Sequence, residues 1–215
     1  MAGFFKKIFG SHASEHGRAL RHPRDLRKGD GLRFGTLDTL ILSGERFTVD
    51  EVNTYLFGNE RSPELTLTSA GGLTVHLTLD EREDPPLFWV SGRLERSDVA
   101  RLFRLEEFAK LFDDKDGPLT LHRMEEPDSM AGWTASVYLL KVDAAKGIFH
   151  KGDYRGNAFF PRPQDGKGLD YYLLADDDAI HMIEVEVYDG GETEVYVGHR
   201  FDLSRIEEMW PGSGA

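Results

Sequence analysis

Histidine and aspartate side chains occur in short stretches whose spacing could create a metal site. His12 and His16 lie four residues apart, which on a helix places both rings on one face, and His22 follows. The glutamate between the first two histidines is not where the His-Glu-x-x-His arrangement of metalloproteases needs it. We therefore interpret this stretch as a polar arm rather than a metal centre.

Two aspartate-rich stretches have the composition of a site for a hard cation. Residues 113–117, DDKDG, resemble a calcium loop, but that alignment puts Phe112 and Arg123 at the first and last ligand positions, where acidic residues are needed. Residues 176–178 are three aspartates close to His181. Aspartate-rich tight turns between strands are common for backbone reasons alone, and we therefore predict neither a metal site nor a bound cofactor.

The sequence excludes several other classes of chemistry. The chain has no cysteine, which rules out thiol nucleophiles, zinc–thiolate sites and iron–sulfur clusters. It lacks the Gly-x-Ser-x-Gly elbow, the Walker phosphate loop and the dinucleotide glycine fingerprint in a strand-to-helix context. Carboxylates are numerous, but no pair stands out as an acid and a base. The sequence therefore gives no positive indication of an enzyme.

Charge is distributed unevenly along the chain. The formal net charge of −12 argues against a general affinity for nucleic acid. Residues 1–33 nevertheless carry eight Lys or Arg against three Asp or Glu, whereas residues 34–215 carry eighteen against thirty-five. Such asymmetry is typical of an interaction tail. The alternative is a solvated arm that lies on its own acidic domain.

The first ten residues, MAGFFKKIFG, have the pattern of a short amphipathic helix. Their apolar run is too short for an export signal, no later stretch is long enough to span a membrane, and Ala2 excludes N-myristoylation. On a helix the four apolar side chains share one face and the two lysines point elsewhere. These candidate contact residues are Phe4, Phe5, Lys6, Lys7, Ile8 and Phe9. A helix of this length is not stable alone in water, so it must dock on lipid, on a partner protein or on its own domain.

Short β segments separated by turn signals dominate the rest of the chain. Residues 10–31 are rich in Gly, His and Arg and have the composition of a linker or loosely ordered arm. Hairpin turns are predicted at 69–72, at 176–178 and at 189–191, where Ser, Ala, Asp and Gly separate alternating runs.

Two helices are predicted in the body, each opened by a serine. The first spans 97–112 and should bury Leu102, Phe103 and Phe108 against the sheet. The second comprises 204–210 and begins with a capping-box pair. The predicted N-caps are Ser97 and Ser204.

These elements predict an α+β fold, built mainly of antiparallel sheet with two helices and the short amphipathic N-terminal helix. We divide the chain into an arm, 1–31, a first sheet-and-helix half, 32–117, and a second half, 118–215; alternatively, the halves form a single domain. Segments 90–103 and 197–210 align without gaps. Two interpretations stay open. The segments are copies of a duplicated sheet-plus-helix unit, or they are alike only because all strand–turn–helix junctions have similar sequences.

Three features together resemble the YjfK-like family of uncharacterised bacterial proteins. They are the FFKKIFG start, the basic arm and the acidic β-rich body with YYLLADDDAIHMIEVEVYDGG. The resemblance implies a context rather than a chemistry: companions of a phage-shock-protein-A-like membrane-stress protein, of small membrane proteins and of polyamine-related enzymes. It implies no catalytic residues.

We therefore expect a cytoplasmic, non-enzymatic accessory protein, peripheral at the inner membrane, that acts in a stress-related system through contacts with lipid or a membrane-stress protein. The alternative is an enzyme or small-ligand-binding protein connected with polyamine metabolism, since an acidic body attracts polycations. A deep pocket of convergent carboxylates and aromatic side chains would favour the alternative. A flat apolar patch beside the N-terminus would favour the first interpretation.

Deleting residues 2–10 tests the membrane hypothesis. The full-length protein should co-sediment with anionic liposomes at low salt, because each basic residue near an anionic surface adds about 1 kcal/mol and the apolar face is buried in lipid. The deletion should abolish this binding, and added salt should weaken it. Co-sedimentation that survives the deletion would contradict the hypothesis.

Overall fold

Antiparallel strands form most of the chain that the computed structural model describes, which comprises residues 18–39, 41–80, 84–113, 118–127, 130–157 and 161–212. The strands are β1 (Gly31–Phe34), β2 (Arg46–Phe57), β3 (Glu60–Ser69), β4 (Thr74–Asp80), β5 (Leu87–Leu94), β6 (Thr120–His122), β7 (Val137–His150), β8 (Lys167–Ala175), β9 (His181–Tyr188), β10 (Thr193–Asp202) and β11 (Ile206–Trp210). The predicted α+β architecture, mainly of antiparallel sheet, is confirmed. Within these ranges, no helix has the length and apolar character needed to cross a membrane.

All eleven strands belong to one sheet, in the order β11-β1-β2-β3-β4-β5-β10-β9-β8-β7-β6. The long strand β2 pairs with β1 through its first residues and with β7 through its last, where residues 54–56 lie opposite residues 148–150. The pairing of β2 with β7 closes eight strands, β2 to β5 and β7 to β10, into a ring. Strands β1, β11 and β6 extend the sheet beyond this ring.

The predicted hairpin turns are confirmed. Residues 69–72 connect β3 with β4, residues 176–178 connect β8 with β9, and residues 189–191 connect β9 with β10. In the last turn Gly190 and Gly191 have φ angles of 104° and 90°. These angles lie in the left-handed region that glycine adopts without strain.

One face of the ring packs onto the main hydrophobic core. Side chains at alternate positions of successive strands are fully buried on this face, as the two-residue period of a strand requires. Examples from five strands are Leu65, Leu77, Val90, Leu174 and Ile183, each 0% exposed. The opposite face of the ring is polar and aromatic.

The predicted helix over 97–112 is broken into three pieces, so the prediction of one continuous helix is wrong. Helix α1 (Arg96–Leu102) is followed by α2 (Leu105–Phe108) and by a 3-10 turn at Ala109–Phe112. The break lies at Phe103, whose backbone is extended with φ −134° and ψ 152°.

The predicted burial of this segment is confirmed, and it accounts for the break. Leu102 and Phe103 are each 1% exposed and Phe108 is 7% exposed. The ring of Phe103 stacks on that of Phe108 at 5.9 Å and meets Tyr138 of β7 edge-on at 5.8 Å. The extended residue places the Phe103 ring between these two neighbours.

The predicted C-terminal helix is wrong, because residues 206–210 form a strand. A single 3-10 turn at Leu203–Arg205 leads into β11, which pairs antiparallel with β1. Strand β1 carries the fully buried Leu32, and its outer edge needs backbone hydrogen bonds that a helix would not supply. Trp210 covers Gly31 so closely that a Cβ atom on this glycine would lie 2.1 Å from the indole ring.

The duplication hypothesis is wrong for the same reason. A helix follows β5, whereas a short turn and a strand follow β10, so segments 90–103 and 197–210 do not share a strand–turn–helix structure. The N-cap positions are occupied by Glu95 and Asp202 rather than by Ser97 and Ser204.

Residues 18–31, which the composition assigns to a linker or loose arm, pack against the body. Leu26 is fully buried in the main core. The guanidinium group of Arg155 donates to the backbone carbonyls of Arg24 at 2.9 Å and of Leu26 at 2.7 Å. This part of the basic arm is therefore an ordered element of the fold.

A buried aspartate connects residues 18–31 to the C-terminal part of the chain by hydrogen bonds. Asp30 is 1% exposed and accepts hydrogen bonds from the backbone N–H groups of Arg27 at 2.7 Å and Gly212 at 3.0 Å. It also pairs with the guanidinium group of Arg18. A buried carboxylate destabilises a fold unless donors satisfy it, and here three donors do so.

Replacing Phe103 with Ala should lower the free energy of unfolding by about 3–5 kcal/mol, because it empties the space between Phe108 and Tyr138. Phe112→Ala provides a matched control, since this ring is 46% exposed, and should cost less than half as much. Urea denaturation measures both. Equal losses in the two variants would contradict the packing described above.

Candidate ligand-binding site in the strand ring

Most residues singled out as metal ligands or membrane contacts fall outside the described residues. This holds for residues 4–9, for His12 and His16, and for 114–117 of the aspartate-rich stretch. His22 is described and acts as an N-cap, since its Nδ1 accepts a hydrogen bond from the backbone N–H of Arg24 at 3.2 Å.

The carboxylate of Asp176 stabilises the aspartate turn at 176–178. The carboxylate of Asp176 accepts from the backbone N–H of Ile180 at 2.7 Å and lies 2.8 Å from Nδ1 of His181. These bonds hold the hairpin between β8 and β9 together. Among the described residues, no group of three or more His, Cys, Asp or Glu side chains is arranged to hold a metal ion.

The face of the ring opposite the main core carries carboxylate and tyrosine side chains. On β9, Ile183 and Val185 point to the main core, so Glu184, Glu186 and Tyr188 point to the opposite face. The antiparallel register continues this face onto the neighbouring strands. It aligns Glu184 with Tyr196 and Glu186 with Glu194 on β10, and Glu186 with Tyr171 on β8.

Contacts between distant strands show that this face is the inside of the ring. The hydroxyl group of Tyr55 on β2 lies near enough to Glu186 of β9 to lower the pKa of that glutamate, although β7 and β8 lie between their strands. On a flat sheet three strand spacings would separate them by about 14 Å. The rings of Phe57 and Tyr171 lie 5.3 Å apart, across Gly147, where a Cβ atom would come within 2.5 Å of the Phe57 ring. The polar face is therefore concave, and we call it the inner face.

Three tyrosine hydroxyls on the inner face each donate a hydrogen bond to a glutamate. The pairs are Tyr171–Glu184 at 2.7 Å, Tyr188–Glu186 at 2.5 Å and Tyr196–Glu194 at 2.7 Å. Burial, together with the nearby carboxylates, raises the pKa of Tyr171 and of Tyr188. The hydroxyls thus remain protonated donors over the physiological pH range.

Two of these glutamates titrate near neutral pH. Burial raises the pKa of Glu184 to about 7 and that of Glu186 to about 8, even though hydrogen bonds from tyrosine oppose the shift. The charge of Glu64, which faces them across the ring, raises both pKa values further. Neither Glu184 nor Glu186 forms an ion pair within the described part of the chain, although the positive charge of His76 lowers the pKa of Glu184.

The other carboxylates of the inner face have basic partners. Nδ1 of His76 lies 3.2 Å from Glu64, and Arg93 lies 3.1 Å from Glu194. Burial alone would lower the pKa of His76, but the adjacent carboxylate of Glu64 outweighs this effect and raises it. Arg93, whose side chain is 54% exposed, marks the solvent side of the site.

The side-chain oxygen of one asparagine on the inner face has no hydrogen-bond donor among the described residues. Asn53 of β2 lies opposite Glu64 in the register, two residues before Tyr55, and is 5% exposed. Its Oδ1 atom is buried and accepts no hydrogen bond from the described residues. A buried acceptor without a donor is costly, which makes this atom a candidate contact for a ligand N–H group.

Solvent reaches part of this acidic, tyrosine-lined surface. The side chains of Glu64, His76 and Glu194 are 13%, 17% and 17% exposed. Glu184 keeps some accessible surface although protein surrounds it closely enough to shift its pKa. Tyr55 and Tyr188, by contrast, are buried at the end where β2 meets β7. We call this acidic, tyrosine-lined surface, whose side chains are buried at one end and partly exposed at the other, the recess.

Sequence reasoning missed this recess, although part of its signal was present. Glu184, Glu186 and Tyr188 alternate with apolar residues, a pattern that usually marks the solvent face of a strand. Glu194 and Tyr196 repeat it on the next strand. The pattern could not show that this face of the sheet is the concave inner face of a ring.

No protein-family model, curated protein or solved structure matches the chain. The assignment of a function therefore rests on the geometry of the recess.

Raising the pH from about 5 to 8 should destabilise the fold through Glu184 and Glu186. Between the ordinary glutamate pKa of 4.5 and the folded value of about 8, the folded state binds more protons than the unfolded state. The free energy of unfolding must then fall as pH rises, by at most about 1.4 kcal/mol per pH unit for each group.

Urea denaturation of Glu186→Gln across this pH range isolates the effect, because the variant cannot ionise there. The variant should gain stability relative to the natural protein as pH rises. Glu106→Gln, at an exposed position of α2, is the control and should follow the natural protein. Parallel curves for all three proteins would contradict the assigned burial of Glu186.

Proposed function

We propose that this chain is a small-ligand-binding protein and that the recess of the strand ring takes an organic cation with two or more ammonium groups. One observation carries the proposal: four glutamates converge on the inner face, and two of them, Glu184 and Glu186, form no ion pair within the described residues. Buried carboxylates without a cationic partner are unfavourable. A bound ammonium group would supply the missing charge and hydrogen-bond donors.

The surrounding side chains favour an organic ammonium group over a metal ion. An ammonium group donates several hydrogen bonds, and Oδ1 of Asn53 is a buried acceptor without a donor. Tyrosine rings at the closed end, including Tyr55 and Tyr188, offer the aromatic faces that attract organic cations. The described residues contain no group of three metal-ligating side chains that could hold an ion instead.

The spread of the carboxylates favours more than one ammonium group. Glu64 lies on β3, whereas Glu184 and Glu186 lie on β9, and three further strands separate β3 from β9 on that side of the ring. A linear diamine or triamine can approach carboxylates on both sides, whereas a monoamine reaches one. This interpretation agrees with the connection to polyamine metabolism that the family resemblance implies.

Isothermal titration calorimetry with 1,4-diaminobutane and spermidine tests the proposal. Both should bind, and n-butylamine should bind at least about tenfold more weakly. Because a hydrogen bond to a charged group contributes about 1.5–3 kcal/mol, Glu184→Gln and Glu186→Gln should each weaken diamine binding by about ten- to a hundredfold. Glu106→Gln, the exposed control, should bind as the natural protein does.

The pH dependence of binding is a second readout. A cation binds the ionised carboxylates, so affinity should rise between pH 6 and 8.5, and binding should release protons, measurable in buffers of different ionisation enthalpy. The absence of saturable binding, or an equal loss of affinity in the Glu106→Gln control, would contradict the proposal. The inner face would then be a hydrogen-bond network with a structural role only.

The accessory role at the inner membrane remains a separate prediction. Its candidate contact residues, 4–9, lie outside the described part of the chain, and deletion of residues 2–10 tests it independently. The two roles are compatible, because the recess lies within the ring whereas the amphipathic segment precedes it in the chain.

A further inference from the structure

A second, oppositely charged surface lies where the basic arm meets the loop after β7. Five arginines line an open depression of about 360 Å³ there. They are Arg18, Arg21, Arg24, Arg27 and Arg155. The acidic side chains in its lining are Asp25 and Asp153, so the lining carries a net charge of about +3. This positive lining contrasts with the net charge of −12 on the whole chain.

Two of the five guanidinium groups are fixed in place by the fold. Arg155 donates to the backbone carbonyls of Arg24 and Leu26 and pairs with Asp153 at 2.6 Å. Arg18 donates to the backbone carbonyl of Asp25 at 3.0 Å and pairs with the buried Asp30. These contacts give the depression a rigid base, and they explain how the fold tolerates several guanidinium groups so close together.

The remaining three arginine side chains lie at the surface. Arg21, Arg24 and Arg27 are exposed, and they follow one another at three-residue intervals around the short 3-10 turn at Pro23–Asp25. In addition, Nε of Arg18 is buried without an acceptor among the described residues. The lining residues of the depression therefore include exposed guanidinium groups and one guanidinium N–H, on Nε of Arg18, that has no acceptor among the described residues.

We propose that this depression binds a phosphate group. Guanidinium groups form paired hydrogen bonds with phosphate oxygens, and a phosphate monoester carries nearly two negative charges, which the lining can balance. The phosphate can belong to a soluble compound or to a lipid headgroup such as phosphatidic acid. This site is independent of the recess in the strand ring, which is acidic and selects cations.

Titration of the full-length chain with inorganic pyrophosphate tests the site in solution, and co-sedimentation with phosphatidylcholine vesicles, with and without phosphatidic acid, tests the lipid source. The variant Arg21→Gln/Arg27→Gln removes two exposed guanidinium groups and leaves the backbone bond from Arg27 to Asp30 intact. It should weaken binding by about tenfold or more. The matched control, Lys110→Gln/Lys141→Gln, removes two exposed positive charges elsewhere and should bind like the natural protein.

Each outcome decides between sources or overturns the proposal. Loss of pyrophosphate binding in the arginine variant alone supports a soluble phosphate ligand, and loss confined to phosphatidic acid vesicles supports a lipid headgroup. Absence of binding in both assays overturns the proposal. An equal loss in the lysine control, or binding of succinate as tight as that of pyrophosphate, does so as well, because either result would show general electrostatic attraction.

Discussion

The pairing of β2 with β7 is the constraint on which the rest of the structure depends. It involves only residues 54–56 and 148–150, yet it turns a row of strands into a ring and so gives the sheet an inside. The approach requires a glycine at 147, because the ring of Phe57 occupies the space that a side chain would fill. Without this pairing, Tyr55 could not reach Glu186, and the carboxylates of β9 would lie on an open surface in water with ordinary pKa values.

Strand β2 makes the ring closure possible because it pairs with two strands, β1 and β7, along the same edge. Its register against β3 shifts between Val49 and Glu51, the mark of a β-bulge, and bulges increase strand twist and bend the strand. On one side of the shift β2 pairs with β1, and on the other it pairs with β7. The main core and the recess thus lie on opposite faces of the same strands, so that both faces of β9 contact other parts of the protein.

Local features of the fold could be predicted from the sequence, because they depend on neighbours in the chain. The alternation of apolar and polar residues predicted the strands, and Gly and Asp predicted the hairpin turns. The apolar side of 97–112 predicted the burial of Leu102, Phe103 and Phe108. The segment 204–210 shows the limit of such reasoning. Its capping-box pattern favours a helix, but the unpaired edge of β1, 170 or more residues earlier, makes a strand more favourable. Long-range pairing of this kind leaves no mark on local periodicity.

The candidate site was beyond prediction for a related reason. Glu184 and Glu186 have the spacing of exposed residues, and a two-residue period states which side chains share a face but not whether that face is convex or concave. The answer depends on ring closure. The composition of residues 10–31 likewise predicts a linker or loosely ordered arm, because its few apolar residues, such as the fully buried Leu26, show no period.

Among the strands that the structure describes, β11 and β6 form the two edges of the sheet, and these edges affect how the protein behaves at high concentration. Exposed strand edges are templates for intermolecular pairing, and short, charged edge strands resist it. Strand β6 has three residues. Strand β11 carries Glu207 and Glu208, both bound by Arg33 of β1 at 2.7 and 3.0 Å, so an approaching strand would have to displace or bury this charge cluster. The same closure that creates the recess thus confines the aggregation-prone backbone to two short segments that are poor templates for fibril growth.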